Sequence, residues 1–348
     1  MNSKERALAT IARETVDRPA TWMGDPTPEA LERMLSAFSL SDKAALRNYL
    51  DDDIYCFDVP YRSPTGNHIA AAFDFAQKGG TDYDSEERTL TAAGYFAGHT
   101  DPSSVADYPW PDPSSHIDRD TLLEAVKAIP EHRASLAMLW SAHFQDSLAA
   151  FGMENAMTAM ILEPQMYQAV IDRIAEFYLK ANEIVYETTR GYLDIVLIGN
   201  DFGSQRGLMV APQQLRDYVF DGTRQLIEQA HAYDLKVVHH SCGSIYDIIP
   251  DLIDLGADAI HPIQALAANM EAERMAAEFS DKVSFVGGVD VQELMVHGTP
   301  AEVEHRVRQL VELFPTGLVL SPSHEALLPD VPTANVKAMF EAAHMEVV

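Results

Sequence analysis

His240 and Cys242, two potential metal ligands, lie two residues apart at the end of an apolar run in the sequence LKVVHHSCGSIY. The run, residues 235–238, predicts a buried strand, and the Gly243-Ser244 pair before an apolar periodic segment predicts a turn into a helix. Side chains two apart in an extended chain point to the same side. Imidazole and thiolate are both ligands that zinc accepts. The pattern therefore predicts a metal site at the carboxyl end of a strand.

Other apolar runs of the chain also end in polar residues. Those that follow them most closely are Asn200, Asp201, His261, Gln264, Asp290, His324 and Glu325. Predicted helices, among them residues 146–161 and 245–255, separate the runs. This alternation predicts βαβ units and a parallel sheet. We expect the sheet to close into a (β/α)8 TIM barrel, with an open doubly wound sheet as the alternative. Because barrel enzymes react at the carboxyl ends of their strands, these polar residues are expected to share one face.

Composition narrows the class of protein. The 348 residues are enough for one large barrel domain, and no window approaches the roughly 18 apolar residues of a membrane span. A net charge of −28 argues against nucleic-acid binding, which needs a basic stripe. The N-terminus lacks the apolar core of a signal peptide, and two cysteines are too few for a disulfide framework. We therefore expect a cytoplasmic protein.

Two regions fall outside the regular alternation. Residues 1–53 predict a helical extension, and residues 63–118, rich in Gly, Pro, Ser and Asp, predict a long insertion. A long insertion in a compact domain often forms a lid or a binding loop. Its aromatic residues Tyr108 and Trp110 are candidates for covering a substrate, and ordinary packing is an equal alternative.

Four segments resemble the uroporphyrinogen decarboxylase superfamily, and together they extend the resemblance over nearly the whole chain. They are residues 200–212, 240–264, 285–303 and 321–339. The superfamily has a branch of metal-free tetrapyrrole decarboxylases and a branch of zinc methyltransferases that work with corrinoid proteins.

Two departures make this sequence more similar to the methyltransferase branch. The decarboxylases carry arginines after a stretch that matches residues 18–23, whereas here Gly24, Asp25 and Pro26 follow. The methyltransferases bind zinc through His-x-Cys and a later cysteine. His240 and Cys242 match the first two ligands, and His324 aligns with the late cysteine, which implies a His2Cys site with one open position.

The resemblance implies a zinc-dependent transfer of a methyl group between a small O-, N- or S-methyl substrate, or a thiol, and a corrinoid protein. The chain lacks the Asp-x-His-x-x-Gly motif of corrinoid modules, so the corrinoid is expected on a separate partner. A homodimer is also possible. Asp201 and His261 are the predicted catalytic residues, and Asp290 and Glu325 are expected to orient the metal ligands. The predicted substrate-binding residues are Trp22, Trp110, Phe202, Gln205, Arg206 and Gln264.

Simpler roles and other functions remain alternatives. Asp201 could cap a turn, His261 and Gln264 could form a hydrogen-bonded pair at the barrel end, and Asp290 could be ordinary turn chemistry. The first alternative function is a decarboxylase or lyase that acts on a small carboxylated substrate with Asp201 as the acid or base. The second is a barrel that binds a ligand without chemistry.

Overall fold

The computed structural model describes residues 1–62, 69–75 and 92–345. The strands, in chain order, are β1 (Ala20–Thr21), β2 (Ile54–Asp58), β3 (Ala134–Trp140), β4 (Ile195–Gly199), β5 (Gly203–Ser204), β6 (Gly207–Leu208), β7 (Lys236–His240), β8 (Ala259–Ile263), β9 (Ser284–Val289) and β10 (Leu318–Pro322). Eight of them form one parallel sheet in the order β1-β10-β9-β8-β7-β4-β3-β2, and β5 and β6 form a separate hairpin. The predicted (β/α)8 barrel is therefore confirmed.

Helices surround the sheet and connect successive strands. They are α1 (Ser3–Ile11), α2 (Pro28–Phe38), α3 (Lys43–Leu50), α4 (Arg119–Lys127), α5 (His143–Phe151), α6 (Met153–Leu162), α7 (Pro164–Thr188), α8 (Pro212–Gln214), α9 (Phe220–His231), α10 (Ile249–Asp254), α11 (Ala272–Phe279), α12 (Leu294–His297), α13 (Pro300–Leu313) and α14 (Thr333–Ala343). In the described residues, none of these helices combines the length and the apolar character needed to cross a membrane.

Alternate residues of each strand face the barrel interior, as the two-residue period of a strand requires. In β4, Ile195 and Leu197 pack inside the barrel with Val238 of β7, whereas Val196 and Ile198 belong to the larger core between strands and helices. Both faces of these strands are apolar because helices cover the outside and side chains fill the inside.

The barrel has a seam between β1 and β2, the two ends of the sheet order. The amide of Asp53 donates to the carbonyl of Thr21 over 3.2 Å, and the Thr21 amide donates to the Asp53 carboxylate over 3.0 Å. Arg6 and Arg18 each donate to the same carboxylate over 2.7 Å, and Asp53 is fully buried. The ion-paired cluster of Arg6, Arg18 and Asp53 therefore closes the barrel between β1 and β2, where the two strands do not pair as a ladder.

The predicted helical extension, residues 1–53, contains the helices α1, α2 and α3. It also supplies strand β1 to the barrel. The sequence did not predict this strand, because β1 has only two residues and no apolar run marks it. Ala7 and Ile11 of α1 pack with the barrel interior, and the Ser284 hydroxyl of β9 donates to the Ile11 carbonyl over 2.9 Å. The extension therefore closes the bottom of the barrel.

The described parts of the predicted insertion, residues 63–118, contain short 3-10 helices at Ile69–Ala72, Pro102–Asp107 and Pro113–Ser115. Its other residues, 63–68 and 76–91, lie outside the described residues. Its aromatic rings pack on one another and on Phe177 of α7; they belong to Phe73, Phe75, Phe96, Tyr108 and Trp110. Packing therefore accounts for Tyr108 and Trp110, and a lid role stays a prediction.

Two predicted helices have different limits in the structure. The helix predicted over residues 146–161 is two helices, α5 and α6, which meet at Gly152, where φ is +83°. The helix predicted over residues 245–255 begins with a 3-10 turn, Tyr246–Ile248, and continues as α10. In the first case Gly152 adopts a left-handed conformation that ends α5.

Candidate functional site at the barrel mouth

The carboxyl end of the barrel presents an inward-facing residue from each of several strands. These residues are Asp58 of β2, Trp140 of β3, His240 of β7 and His261 of β8. Each follows a residue of the interior core by two positions along its strand, so its side chain points to the same side. A cavity of about 900 Å³ opens beside them. Its lining includes Asp58, Tyr61, Trp140, Gln145, Asp146, Tyr178, Asp201, His240 and Glu325.

His240 is the centre of the cluster. Its Nδ1 lies 2.8 Å from Nδ1 of His261, and its Nε2 lies 3.2 Å from Oδ1 of Asp201. Burial disfavours a charge on His240, but Asp201, Cys242 and Glu325 outweigh it and raise the pKa of His240 to about 10. Burial and the charge of His240 lower the pKa of His261 well below its usual value. We therefore assign both ring protons to His240, which donates to His261 and to Asp201.

Cys242 lies on the Asp201 side of this imidazole. Its Sγ is 3.5 Å from Nε2 of His240, and its amide donates to Oδ1 of Asp201 over 3.0 Å. Burial alone raises the pKa of the Cys242 thiol, but hydrogen bonds with His240 and His324 outweigh it, so that the pKa is lowered. The lowered pKa favours the thiolate, which is the form that binds metals and acts as a nucleophile.

The position of Asp201 is fixed from both sides. Gln145 at the start of α5 accepts the Asp201 amide and donates to its Oδ2, each over 3.2 Å. The neighbouring Asn200 accepts the Phe144 amide over 2.8 Å and so joins the end of β4 to α5. Burial raises the pKa of Asp201, but the hydrogen bond with His240 and its charge outweigh it and lower the pKa. Asp201 therefore stays ionised beside the imidazole.

Glu325 lies on the other side of the imidazole. Its Oε2 is 3.9 Å from Nδ1 of His240 and 3.5 Å from Nδ1 of His324, and within the described residues this buried oxygen has no hydrogen-bond partner. The Ala326 amide donates to Nδ1 of His324 over 3.0 Å. The carboxylate is thus free to accept a proton or a ligand.

Gly24 explains how the chain places Glu325. The Asp25 amide donates to the Glu325 carbonyl over 2.6 Å. Gly24 has φ +76°, and a Cβ there would lie 2.3 Å from the same oxygen. The glycine that departs from the decarboxylase pattern therefore allows this close backbone contact.

Three sets of side chains bring three potential ligand atoms within 4.8 Å of one another. They are Asp201 with His240 and Cys242, His240 with His261 and Glu325, and Cys242 with His324 and Glu325. The first set offers oxygen, nitrogen and sulfur, which zinc accepts in a three-ligand catalytic site. His324 shares a set with Cys242 but with His240 in none of the three, and its role as third ligand stays a prediction.

Three other predicted site residues, Trp22, Gln264 and Asp290, make contacts that hold the barrel mouth together. Trp22 is buried under the cluster, with its ring 5.2 Å from that of His261, and Gln264 accepts the Gly243 amide over 2.6 Å. Asp290 accepts backbone amides from residues 292–294, as a turn or cap residue does.

None of the six predicted substrate-binding residues, Trp22 and Gln264 included, belongs to the cavity lining formed by the described chain. Phe202 is fully buried against Phe144, Gln205 and Arg206 are exposed on the β5–β6 hairpin, and Trp110 lies in the insertion's aromatic cluster. Their contact with a substrate stays a prediction.

Sequence reasoning missed one wall of the cavity. It is lined by Gln145 and Asp146 of α5, Tyr178 of α7, Asp58 of β2 and Tyr61 after that strand. The pattern that identified Asp201 was available here, because Gln145 and Asp146 closely follow the apolar run of β3. Tyr178 gave no such signal, since it lies in the middle of a long helix.

Two glycines allow the Cys242 loop to pack on the β5–β6 hairpin. Gly243 has φ +85°, and a Cβ there would lie 2.5 Å from the carbonyl carbon of Gly203. We expect Gly243→Ala to reduce the free energy of unfolding by about 3 kcal/mol or more, through left-handed strain and this clash. Gly191→Ala is the matched control, because Gly191 has φ +81° with open space around the Cβ position. Urea unfolding should show a loss of about 1 kcal/mol for the control, and equal losses would contradict the close packing.

Asp146 predicts a pH dependence of stability. Tyr178 donates to its Oδ2, and burial raises the pKa of Asp146 to about 7. The unfolded chain releases this proton near pH 4, so the stabilisation is complete below that pH and is lost as the pH rises to about 7. The loss is at most about 4 kcal/mol, and less where water screens this partly exposed group. Urea unfolding from pH 4 to 8 should show a smaller decline in Asp146→Asn, and parallel curves would refute the assignment.

Comparison with known proteins gives a family match and a structural match. A profile of the family described as uroporphyrinogen decarboxylase (URO-D) matches residues 95–345. The fold is similar to a solved structure of a methyltransferase from Methanosarcina mazei, with a TM-score of 0.72 and 15% identity. That alignment covers 99% of this chain and 98% of the other. A search of the curated proteins finds no match.

Proposed function

We propose that this protein, which belongs to the uroporphyrinogen decarboxylase family, transfers a methyl group between a small substrate and a separate corrinoid protein, with zinc at the mouth of its barrel. The family match confirms the resemblance found in the sequence. The observation that carries the proposal is the convergence of Asp201, His240 and Cys242 beside a cavity of about 900 Å³. The whole-chain likeness to a methyltransferase supports methyl transfer as the class of reaction.

Zinc fits this donor set, with His240 and Cys242 as two ligands and Asp201 or His324 as the third, and its binding would release one of the two ring protons of His240. Asp201 lies closer to His240, since its Oδ1 is 3.2 Å from Nε2 of His240, whereas His324 shares no ligand set with His240. When bound, zinc would supply Lewis acidity to a heteroatom that has a lone pair, such as an ether oxygen or the sulfur of an acceptor thiol. The corrinoid of the partner would accept or donate that group.

Residues of this chain would position the substrate and transfer the proton of the acceptor or the leaving group. Gln145 and the Cys242 amide fix the Asp201 carboxylate, and the Trp140 ring packs edge-on against His240 at 5.0 Å. Glu325 is placed to take the proton of an acceptor thiol, or to give one to a leaving group, because its Oε2 has no hydrogen-bond partner within the described residues.

Decarboxylation with Asp201 as the acid or base is the second candidate, since the family includes decarboxylases. The cavity favours it less. No lysine or arginine occurs among the described residues that line the cavity, so a carboxylated substrate would meet Asp58, Asp146, Asp201 and Glu325 without a basic counterpart.

A spectroscopic assay with free cobalamin tests the proposal. The zinc-loaded protein is mixed with cob(I)alamin and, in separate reactions, a methyl ether, a methyl thioether or a methylated ammonium, and the spectrum of methylcobalamin is followed. The reverse reaction uses methylcobalamin with a thiol. We expect turnover in at least one reaction, with loss of turnover in His240→Ala. No turnover in any of them, together with release of carbon dioxide from a carboxylated substrate, would favour the decarboxylase.

A further inference from the structure

The charges around the cavity are nearly all negative. Four carboxylates line it, from β2, from α5 and from the loops after β4 and β10: Asp58, Asp146, Asp201 and Glu325. No lysine or arginine occurs among the described lining residues, and His240 is already in contact with Asp201. Asp58 and Asp146 lie on the β2–β3 side of the mouth, and the described lining residues on that side offer these two carboxyl groups no lysine or arginine as a counterion.

Asp146 is held in place and still has an oxygen to offer. The Tyr178 hydroxyl donates to Oδ2, and the described residues provide no hydrogen bond to Oδ1. Tyr178 is 1% exposed, so this contact fixes the carboxylate from the protein side. Burial disfavours the charge of Asp146, as its raised pKa shows, and a cationic ligand would restore that charge.

Tyr61 gives a second and independent indication of a ligand. Its side chain lines the cavity, is 8% exposed, and carries a hydroxyl with no hydrogen-bond partner in the described part of the chain. A buried hydroxyl without a partner costs free energy that a bound polar ligand can recover. The hydroxyl oxygen is an acceptor, which suits the positive edge of a cation.

The remaining wall is apolar and aromatic. The Trp140 and Tyr61 rings lie among the lining residues with Val59, Met138 and Leu139. Aromatic faces attract cations through their quadrupole, most strongly when the cation carries alkyl groups and little hydration. Alkyl groups also gain from contact with the aliphatic side chains.

We propose that this cavity binds a small alkylated ammonium ion, with its charge beside Asp146 and Asp58 and its alkyl groups against Trp140 and Tyr61. The inference rests on the proposed function, in which this ion would be the methyl donor. The carbon–nitrogen bond breaks, its electron pair stays on nitrogen to give a neutral amine, and the methyl group takes an electron pair from the reduced corrinoid of the partner. No proton is required, because the leaving amine is uncharged.

Calorimetric titration with two isosteric probes tests the inference. Choline carries a quaternary nitrogen, and 3,3-dimethyl-1-butanol has carbon in its place, so the pair differs mainly in charge. We expect choline to bind at least about tenfold more tightly than the alcohol. Equal affinity, or binding of neither probe, would overturn the inference.

Three variants test which carboxylate is responsible for the preference for choline. Asp146→Asn is expected to reduce the preference for choline to less than about threefold, and Asp58→Asn, a second variant on the same wall, to lower it in the same direction. Asp281→Asn is the matched control, because it removes the same charge from an exposed position outside the cavity lining and should keep the full preference. An equal loss in the control would show a general effect of the acidic surface and would overturn the site.

The titration is separate from the test of methyl transfer. Methyl transfer from neutral donors without choline binding would overturn this inference and leave the proposed function standing. Choline binding without methyl transfer from any donor would support the cation site and count against the proposed function.

Discussion

Replacing Cys242 with serine is expected to remove zinc from the protein and to abolish methyl transfer. Wild-type protein purified without added metal should contain about one zinc per chain. The serine hydroxyl does not ionise at neutral pH as a thiolate does, so one of three ligands is lost. Because loss of an orienting residue alone costs about 10–100-fold in affinity, loss of a ligand should exceed about 100-fold. Elemental analysis and a chelator competition measure both quantities.

The second cysteine of the chain provides the matched control. Cys56 lies in β2, 2% exposed, with its Sγ 3.2 Å from the Arg47 guanidinium, and it takes no part in the three potential ligand sets. Cys56→Ser should therefore keep about one zinc per folded chain. Full zinc in Cys242→Ser would contradict the metal site, and zinc loss in both variants would show that the effect comes from damage to the fold.

Zinc content also decides whether Asp201 or His324 is the third ligand. If Asp201 completes the set, Asp201→Asn should lose zinc as Cys242→Ser does, and His324→Gln should keep most of it. The opposite result would establish His324, as the alignment with the late cysteine of the methyltransferases implies. In either case the variant that keeps zinc shows which side chain remains free to act on the substrate.

The largest effect on stability is expected from Asp53→Asn at the barrel seam. This substitution keeps the shape of the side chain but removes the negative charge that Arg6 and Arg18 share. The two guanidinium groups are 8% and 11% exposed, so they would remain largely buried without their common partner. Breaking a buried ion pair in this way costs about 3–5 kcal/mol. Urea unfolding measures the loss.

Asp17→Asn is the control for this prediction. Asp17 also accepts hydrogen bonds from Arg6, but its side chain is 44% exposed. An exposed pair contributes about 1 kcal/mol or less because water screens it. If both variants lose the same amount, burial of the Asp53 carboxylate does not hold the seam together.

Local patterns in the sequence predicted much of the barrel and part of the site. Apolar runs such as residues 235–238 are long enough to identify strands, and polar residues at their ends identify the reactive face. The two-residue period then separates adjacent histidines: His240 faces the cavity, and His239 is fully buried beside Phe202. The two-residue strand β1 could not be predicted, because only its pairing with β10 makes it a strand.

The loops beyond the strands were less predictable, since no period governs them. Phe202 follows Asp201 in the same loop, yet it enters the core while Asp201 stays at the cavity. Tyr178 lies far along the chain from Asp146, and only the packing of α7 on α5 brings the two together. Long-range packing of this kind leaves no local sequence signal.

The contacts between the two ends of the chain have a consequence for its biosynthesis. Backbone amides near the N-terminus bond to carbonyls near the C-terminus, in the pairs Trp22 with Leu320, Asp25 with Glu325, and Thr27 with Leu327. A ribosome makes the first partners some three hundred codons before the second. The N-terminal partners therefore stay unpaired until residues 320–327 have been made. A nascent chain would contain most of the barrel strands before its mouth is complete, so binding at the mouth must wait for the segment that carries His324 and Glu325.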